Sequence, residues 1–192
     1  MEIFIEIEPG VFLGNKEAAR NKHALLFKRI HGIVNCAKNL ENFLEQKHQI
    51  SPFKEFEYLR LEMTEWSPIT PDMIDKVIEF VSWNKVDHGG VLVHCAAAMQ
   101  RSPSVIVAYL MKTRKISLQE AISIVEQKTA GQYYPTLEML ESLVAMDTCK
   151  KTSFDHYQFF KSKEKEWLKM ISELGEDVMK KYDQKISQVI QK

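Results

Sequence analysis

The chain has 192 residues, enough for one domain and an appendage, and 45% of them are hydrophobic, enough for a sizeable core. Its 26 basic and 26 acidic residues cancel, which argues against nucleic acid or an anionic membrane as a partner. No apolar run reaches the length of a membrane span, no basic-then-apolar leader opens the sequence, and Cys36, Cys95 and Cys149 are too few for a disulfide framework; a reducing compartment, the cytosol, is expected.

Residues 3–7, IFIEI, alternate with period two and predict a strand. Pro9-Gly10 turns the chain into a second strand over 11–13, and Gly14-Asn15 ends it and caps a helix over 16–29. A short apolar strand follows at 32–36, then a brief polar helix at 38–46 and a loop at 49–54. The stretch 57–63 alternates again and is the next strand. Thr70-Pro71-Asp72 has the marks of a helix start: an oxygen cap, a proline in the first turn and an acid at the positive dipole end. That helix carries Ile74, Val77, Ile78 and Val81 on one face, and His88-Gly89-Gly90 leads on to a buried strand at 91–94. Ser102-Pro103 opens another helix, Ser117 and Glu120 form a capping box for the next, and Pro135-Thr136 starts one with Leu137, Leu140, Leu143 and Val144 on its inner stripe.

Alternating strands and helices followed by helices alone predict an α/β fold, a central mixed sheet flanked by helices. From about 153 the composition shifts. Residues 161–192 are rich in Lys and Glu, with Trp167, Ile171, Leu174, Val178, Tyr182, Ile186 and Val189 at steps of three and four, and Gly175 as a break. The expected organisation is a domain over 1–150 and an amphipathic helical extension over 151–192. Its apolar face either packs on the domain or, through residues 153–192, serves self-association or a partner helix.

The chemistry concentrates between the strand at 91–94 and the helix after it, where Cys95 and Arg101 make the pattern C-x5-R. A loop of this length at a helix N-terminus can turn its N–H groups onto one anion, with Ala96, Ala97, Ala98, Met99 and Gln100 supplying the amides. The Arg101 guanidinium closes such a cradle by gripping two phosphate oxygens. Among these donors the Cys95 thiol acquires a low pKa, which places a thiolate for in-line attack on phosphorus. Ser102 can donate to the sulfur as it leaves. The alternative is a buried cysteine ending a strand beside an unrelated arginine. No cluster of His, Cys, Asp and Glu suggests a metal, and no cofactor is expected.

HCAAAMQRS resembles the HC-x-x-G-x-x-R-S signature of the protein tyrosine phosphatase superfamily. With PGVFLGN, GIVNCA, FEYLRLEM and RSPSVIVAYLM in order, residues 2–147 are similar to its compact dual-specificity branch. The resemblance implies the phosphatase fold, a phosphocysteine intermediate and a His94 that supports the loop and the low thiol pKa by hydrogen bonding. It implies a general acid seven residues beyond the strand's tyrosine; counting from Tyr58 gives Glu65, where the family has aspartate, with Asp72 as the fallback. Two further departures are Ala98 for the loop glycine and Thr136 for an asparagine that steadies the loop. The absence of lysine or a second arginine within 96–100 points to one phosphate on a protein side chain rather than a polyphosphate. The chain lacks the insert that deepens the tyrosine-specific pocket, so phosphoserine and phosphothreonine are expected substrates beside phosphotyrosine. A lipid phosphatase of the superfamily has a cysteine at the similar place that pairs with its nucleophile under oxidation, so the resemblance implies Cys36 as a redox partner of Cys95; the alternative is a small buried core residue. The competing function is a phosphate-binding module with little or no turnover.

Overall fold

The computed structural model describes residues 1–45, 55–85, 89–149 and 154–172, and the chain divides into two units, Met1–Phe154 and Asp155–Lys192. In the first, strands β1 (Phe4–Glu8), β2 (Val11–Gly14), β3 (Ile30–Ala37), β4 (Glu57–Met63) and β5 (Gly90–His94) form one sheet in the order β1-β2-β5-β3-β4. β1 is antiparallel to β2 and every other pair is parallel, so the sheet is mixed, as the sequence predicts. β5 is central and buried along its whole length, which is why Val91, Leu92 and Val93 follow one another without polar alternation.

Helices α1 (Lys16–Arg20) and α2 (Lys22–Phe27) carry the chain from β2 past β5 to β3, whereas α3 (Pro71–Asn84) returns it from β4 to β5. The two crossovers run in opposite directions, so right-handed connection puts them on opposite faces of the sheet. On one face Phe12, Leu92 and Ile33 pack with Ala18, Ala19 and Leu25. The alternate residues Leu13, Val93 and Val34 are buried on the other, where α3 and α4 (Arg101–Arg114) lie against the strands. Each large aliphatic side chain so buried contributes about 1.5–3 kcal/mol. α5 (Leu118–Thr129) and α6 (Leu137–Met146) complete the unit alongside α4.

The caps read from sequence are present at Asn15, Thr70 and Ser117, the last as a reciprocal box with Glu120. Two expected helices differ. The helix over 16–29 is broken at Asn21, whose N–H ends α1 on the Ala18 carbonyl while its side-chain oxygen caps α2 by accepting from Ala24 N at 3.0 Å. Among the described residues no helix forms over 38–45. There the buried Asn35 amide donates to the Leu40 and Glu41 carbonyls and to Asn42 Oδ1, and this pulls the chain into turns. The loop over 49–54 and His88 lie outside the described residues.

The second unit contains α7 (His156–Ser172), which starts earlier than 161 because the Asp155 carboxylate accepts from Gln158 N at 2.9 Å. The apolar positions expected from Leu174 to Val189 lie outside the described residues. Among those described, no helix is long and apolar enough to cross a membrane.

Candidate active site

Cys95 follows β5 directly, and Arg101 is the first residue of α4, so the segment between them bends beyond the carboxyl end of the central strand. At that end the connections from β2 and β5 diverge to opposite faces, the usual place for a ligand crevice. The bend is tied from outside. The Ala96 carbonyl accepts from Lys16 N at 3.2 Å, and the Met99 carbonyl accepts from Tyr134 N at 2.8 Å. The Gln100 carbonyl accepts from the buried Ser104 hydroxyl at 2.7 Å, and that hydroxyl also bonds Tyr133 Oη at 3.1 Å. In a trans peptide N–H and C=O point in opposite senses, so outward carbonyls turn the next amides inward.

Ala98 has φ = +61°, the left-handed region that glycine enters freely. A methyl-bearing residue there costs about 1 kcal/mol, and the bend adopts it nonetheless. The sulfur is buried and meets donors. The Ser102 hydroxyl donates to Cys95 Sγ at 3.2 Å, and the Ser102 and Ala98 amides face it too. Burial pushes the thiol pKa up, but the Ser102 donors, the Arg101 charge and the Ala98 amide together outweigh it and leave Cys95 below its ordinary value.

Arg101 is 5% exposed. Its Nη1 donates to Asn39 Oδ1 at 3.2 Å and to the Met63 carbonyl at 3.3 Å, while Nη2 lies 3.5 Å from Glu65 Oε1. The loop after β4 thus brings Glu65, partly exposed, to the mouth of the bend. Asp72 is not there; it pairs with Lys76 one turn along α3 at 2.7 Å.

His94 departs from expectation. It is fully buried, and neither ring nitrogen has a hydrogen-bond partner among the described residues. Burial lowers its pKa to about 4, the Cys95 backbone opposing and the Arg101 charge adding to the fall. Thr136 spends its hydroxyl capping α6, accepting from Met139 N at 3.3 Å; the loop is steadied from this quarter by the Tyr134 amide instead.

Cys36 is the next residue in register beyond the pair Asn35↔His94, which sets it beside Cys95 across β3 and β5. Neighbouring strands lie about 4.8 Å apart, within the span a disulfide bridges. Both thiols are free; burial, with the Cys95 charge adding and Arg101 opposing, raises the Cys36 pKa well above normal. Peroxide is expected to oxidise the Cys95 thiolate to a sulfenic acid, which the Cys36 thiol condenses to a disulfide with loss of water. Peptide mapping should find the Cys36–Cys95 link, and reductant should restore activity in the native chain but not in Cys36→Ser. Irreversible loss in the native chain, with no link, would sink the pairing.

Asn39, the Met63 carbonyl, and the tethers from Lys16, Ser104 and Tyr134 were not foreseen from sequence. Among the described residues no group of three or more His, Cys, Asp or Glu could hold a metal ion.

A model of the dual specificity phosphatase catalytic domain matches residues 11–149. The chain belongs to the dual specificity phosphatase family. Human dual specificity protein phosphatase 9 is 33% identical over 128 residues, 66% of this chain and 32% of that protein. Human dual specificity protein phosphatase 2 is 28% identical over 144 residues, covering 75% and 43%. The chain therefore spans less than half the length of these relatives. Among solved structures, the human tyrosine phosphatase-like serine/threonine/tyrosine-interacting protein shares 25% identity at a TM-score of 0.60, covering 74% of this chain and 91% of that one. A mouse putative dual specificity phosphatase complexed with zinc tungstate shares 24% identity at a TM-score of 0.61, covering 75% and 86%.

Proposed function

We propose that this chain is a cysteine-dependent protein phosphatase acting on single phosphates of protein side chains, phosphoserine and phosphothreonine as well as phosphotyrosine. The observation that carries the reading is the convergence of the Ser102 hydroxyl, inward amides and Arg101 on the buried Cys95 sulfur. The amides of residues 96–101 and the guanidinium hold the phosphate's non-bridging oxygens. The Cys95 thiolate attacks phosphorus, an S–P bond forms, and the P–O bond to the substrate breaks as Glu65 protonates the departing oxygen. Water, deprotonated by the Glu65 carboxylate, then attacks the phosphocysteine; orthophosphate leaves, and Ser102 donates to the returning thiolate. His94 acts as neutral packing beneath the loop. Three free thiols favour a reducing compartment, the cytosol. Within the extension, α7 supplies a surface for self-association or a partner helix, which the mass of the chain in solution tests.

A second reading, a phosphate-binding module, draws on the Glu65 carboxylate standing against Arg101 and on the methyl of Ala98. Hydrolysis of p-nitrophenyl phosphate, lost in Cys95→Ser, supports the enzyme; phosphopeptide binding without hydrolysis supports the module. Glu65→Gln is expected to lower kcat about 10²-fold on a phosphoserine peptide, whose alkoxide needs a proton. On p-nitrophenyl phosphate, whose leaving group is stable as an anion, the loss should be small. Equal losses on both would remove Glu65 from the acid role.

A further inference from the structure

The guanidinium of Arg101 is anchored on one side and open on the other. Nη1 is taken by Asn39 Oδ1 and the Met63 carbonyl. Nε is buried and has no hydrogen-bond partner among the described residues, and Nη2 meets Glu65 at the longer distance of 3.5 Å. A buried donor left without an acceptor is unfavourable, so this edge calls for one from outside the chain. Arginine grips a phosphate through two parallel N–H groups of a single edge, and Nε with Nη2 is the edge that the anchoring of Nη1 leaves over.

We propose that Asn39 is a positioning residue that, with the Met63 carbonyl, fixes the rotation of the Arg101 guanidinium so that Nε and Nη2 are presented together to the phosphate. The inference rests on the reading of Arg101 as the phosphate's holder and deepens it. Asn39 is fixed by its neighbours rather than by its own burial. The Asn35 amide holds the Leu40, Glu41 and Asn42 turn on one side of it. On the other side Lys38 N donates to the Met63 carbonyl at 2.9 Å, and Arg60 Nη2 donates to the Lys38 carbonyl at 2.8 Å. The Met63 carbonyl therefore serves both the turn that carries Asn39 and the guanidinium that Asn39 restrains. Because Asn39 itself is exposed, its side chain can be changed without opening the core.

The test measures tungstate dissociation constants and p-nitrophenyl phosphate kcat/KM in the full chain for Asn39→Leu, Asn39→Ala, Arg101→Lys and the two double variants. Each Asn39 change should weaken tungstate binding and lower kcat/KM by about tenfold, with the melting temperature that of the native chain. In the Arg101→Lys background the same changes should have no effect, because an ammonium has no second edge to aim. Native tungstate affinity in both Asn39 variants, or an undiminished loss in the Arg101→Lys background, overturns the inference and leaves Arg101 in place. Should Arg101→Lys itself bind tungstate as the native chain does, the reading of Arg101 fails, and the role of Asn39 with it.

Discussion

Cys95→Ser is expected to reduce p-nitrophenyl phosphate turnover by on the order of 10⁴-fold or more, the scale on which loss of a nucleophile is felt. The side chains are nearly the same size, so the bend and its anion cradle survive; what changes is the acidity of the attacking atom. The Ser102 hydroxyl, the Ala98 and Ser102 amides and the Arg101 charge bring a thiol below its ordinary pKa against the effect of burial. The same donors applied to an alcohol leave it protonated at neutral pH, and a neutral hydroxyl is a weak nucleophile toward phosphorus. The variant should melt as the native chain does and still bind phosphopeptide, a combination read by calorimetry beside the assay. Turnover that persists in Cys95→Ser removes the phosphocysteine route.

The second large effect falls on Arg101. Arg101→Lys keeps the charge, yet kcat/KM should fall about 10²–10³-fold, as on removal of an oriented donor to a developing anion. The guanidinium has separate nitrogens for Asn39 and the Met63 carbonyl on one side and for Glu65 on the other. Lysine offers one compact ammonium, which can serve the anchors or the ligand but cannot make a two-point grip on both. Inhibition by orthophosphate should weaken in step with the turnover. A lysine variant with native kinetics would show that charge alone suffices.

Much of the fold was legible because its strands announce themselves. The alternation in 57–63 and the apolar run at 91–93 follow from their places at the edge and the centre of the sheet. Helix starts were legible at Thr70 and Ser117, where a capping oxygen is followed by a proline in the first turn or by a reciprocal glutamate. Failures came at two asparagines whose side chains hold backbone three to six residues further on. Asn21 divides one expected helix into two, and Asn35 bends residues 38–42 that carry a helix-like composition. The C-x5-R pattern located Cys95 and Arg101 because loop length ties them. Counting along the strand found Glu65, which the structure sets near Arg101. Asn39 had no such signal, since its partner lies 62 positions away and the contact exists only once β3, β4 and β5 are side by side. His94 could be placed beneath the loop from its position, but not its lack of hydrogen bonds, which depends on everything packed around it.

The bend at residues 95–101 keeps a left-handed alanine because its outward carbonyls are fastened to α1, to the segment before α6 and to the first turn of α4. Shape imposed by distant fastenings does not wait for a guest. On the function proposed above, an arriving oxyanion would meet a receptacle already set, so that little of its attraction is consumed in ordering the peptide around it. By the same logic, loosening a fastening such as the Ser104 hydroxyl would be felt as weaker capture of every oxyanion alike, whatever group it is attached to.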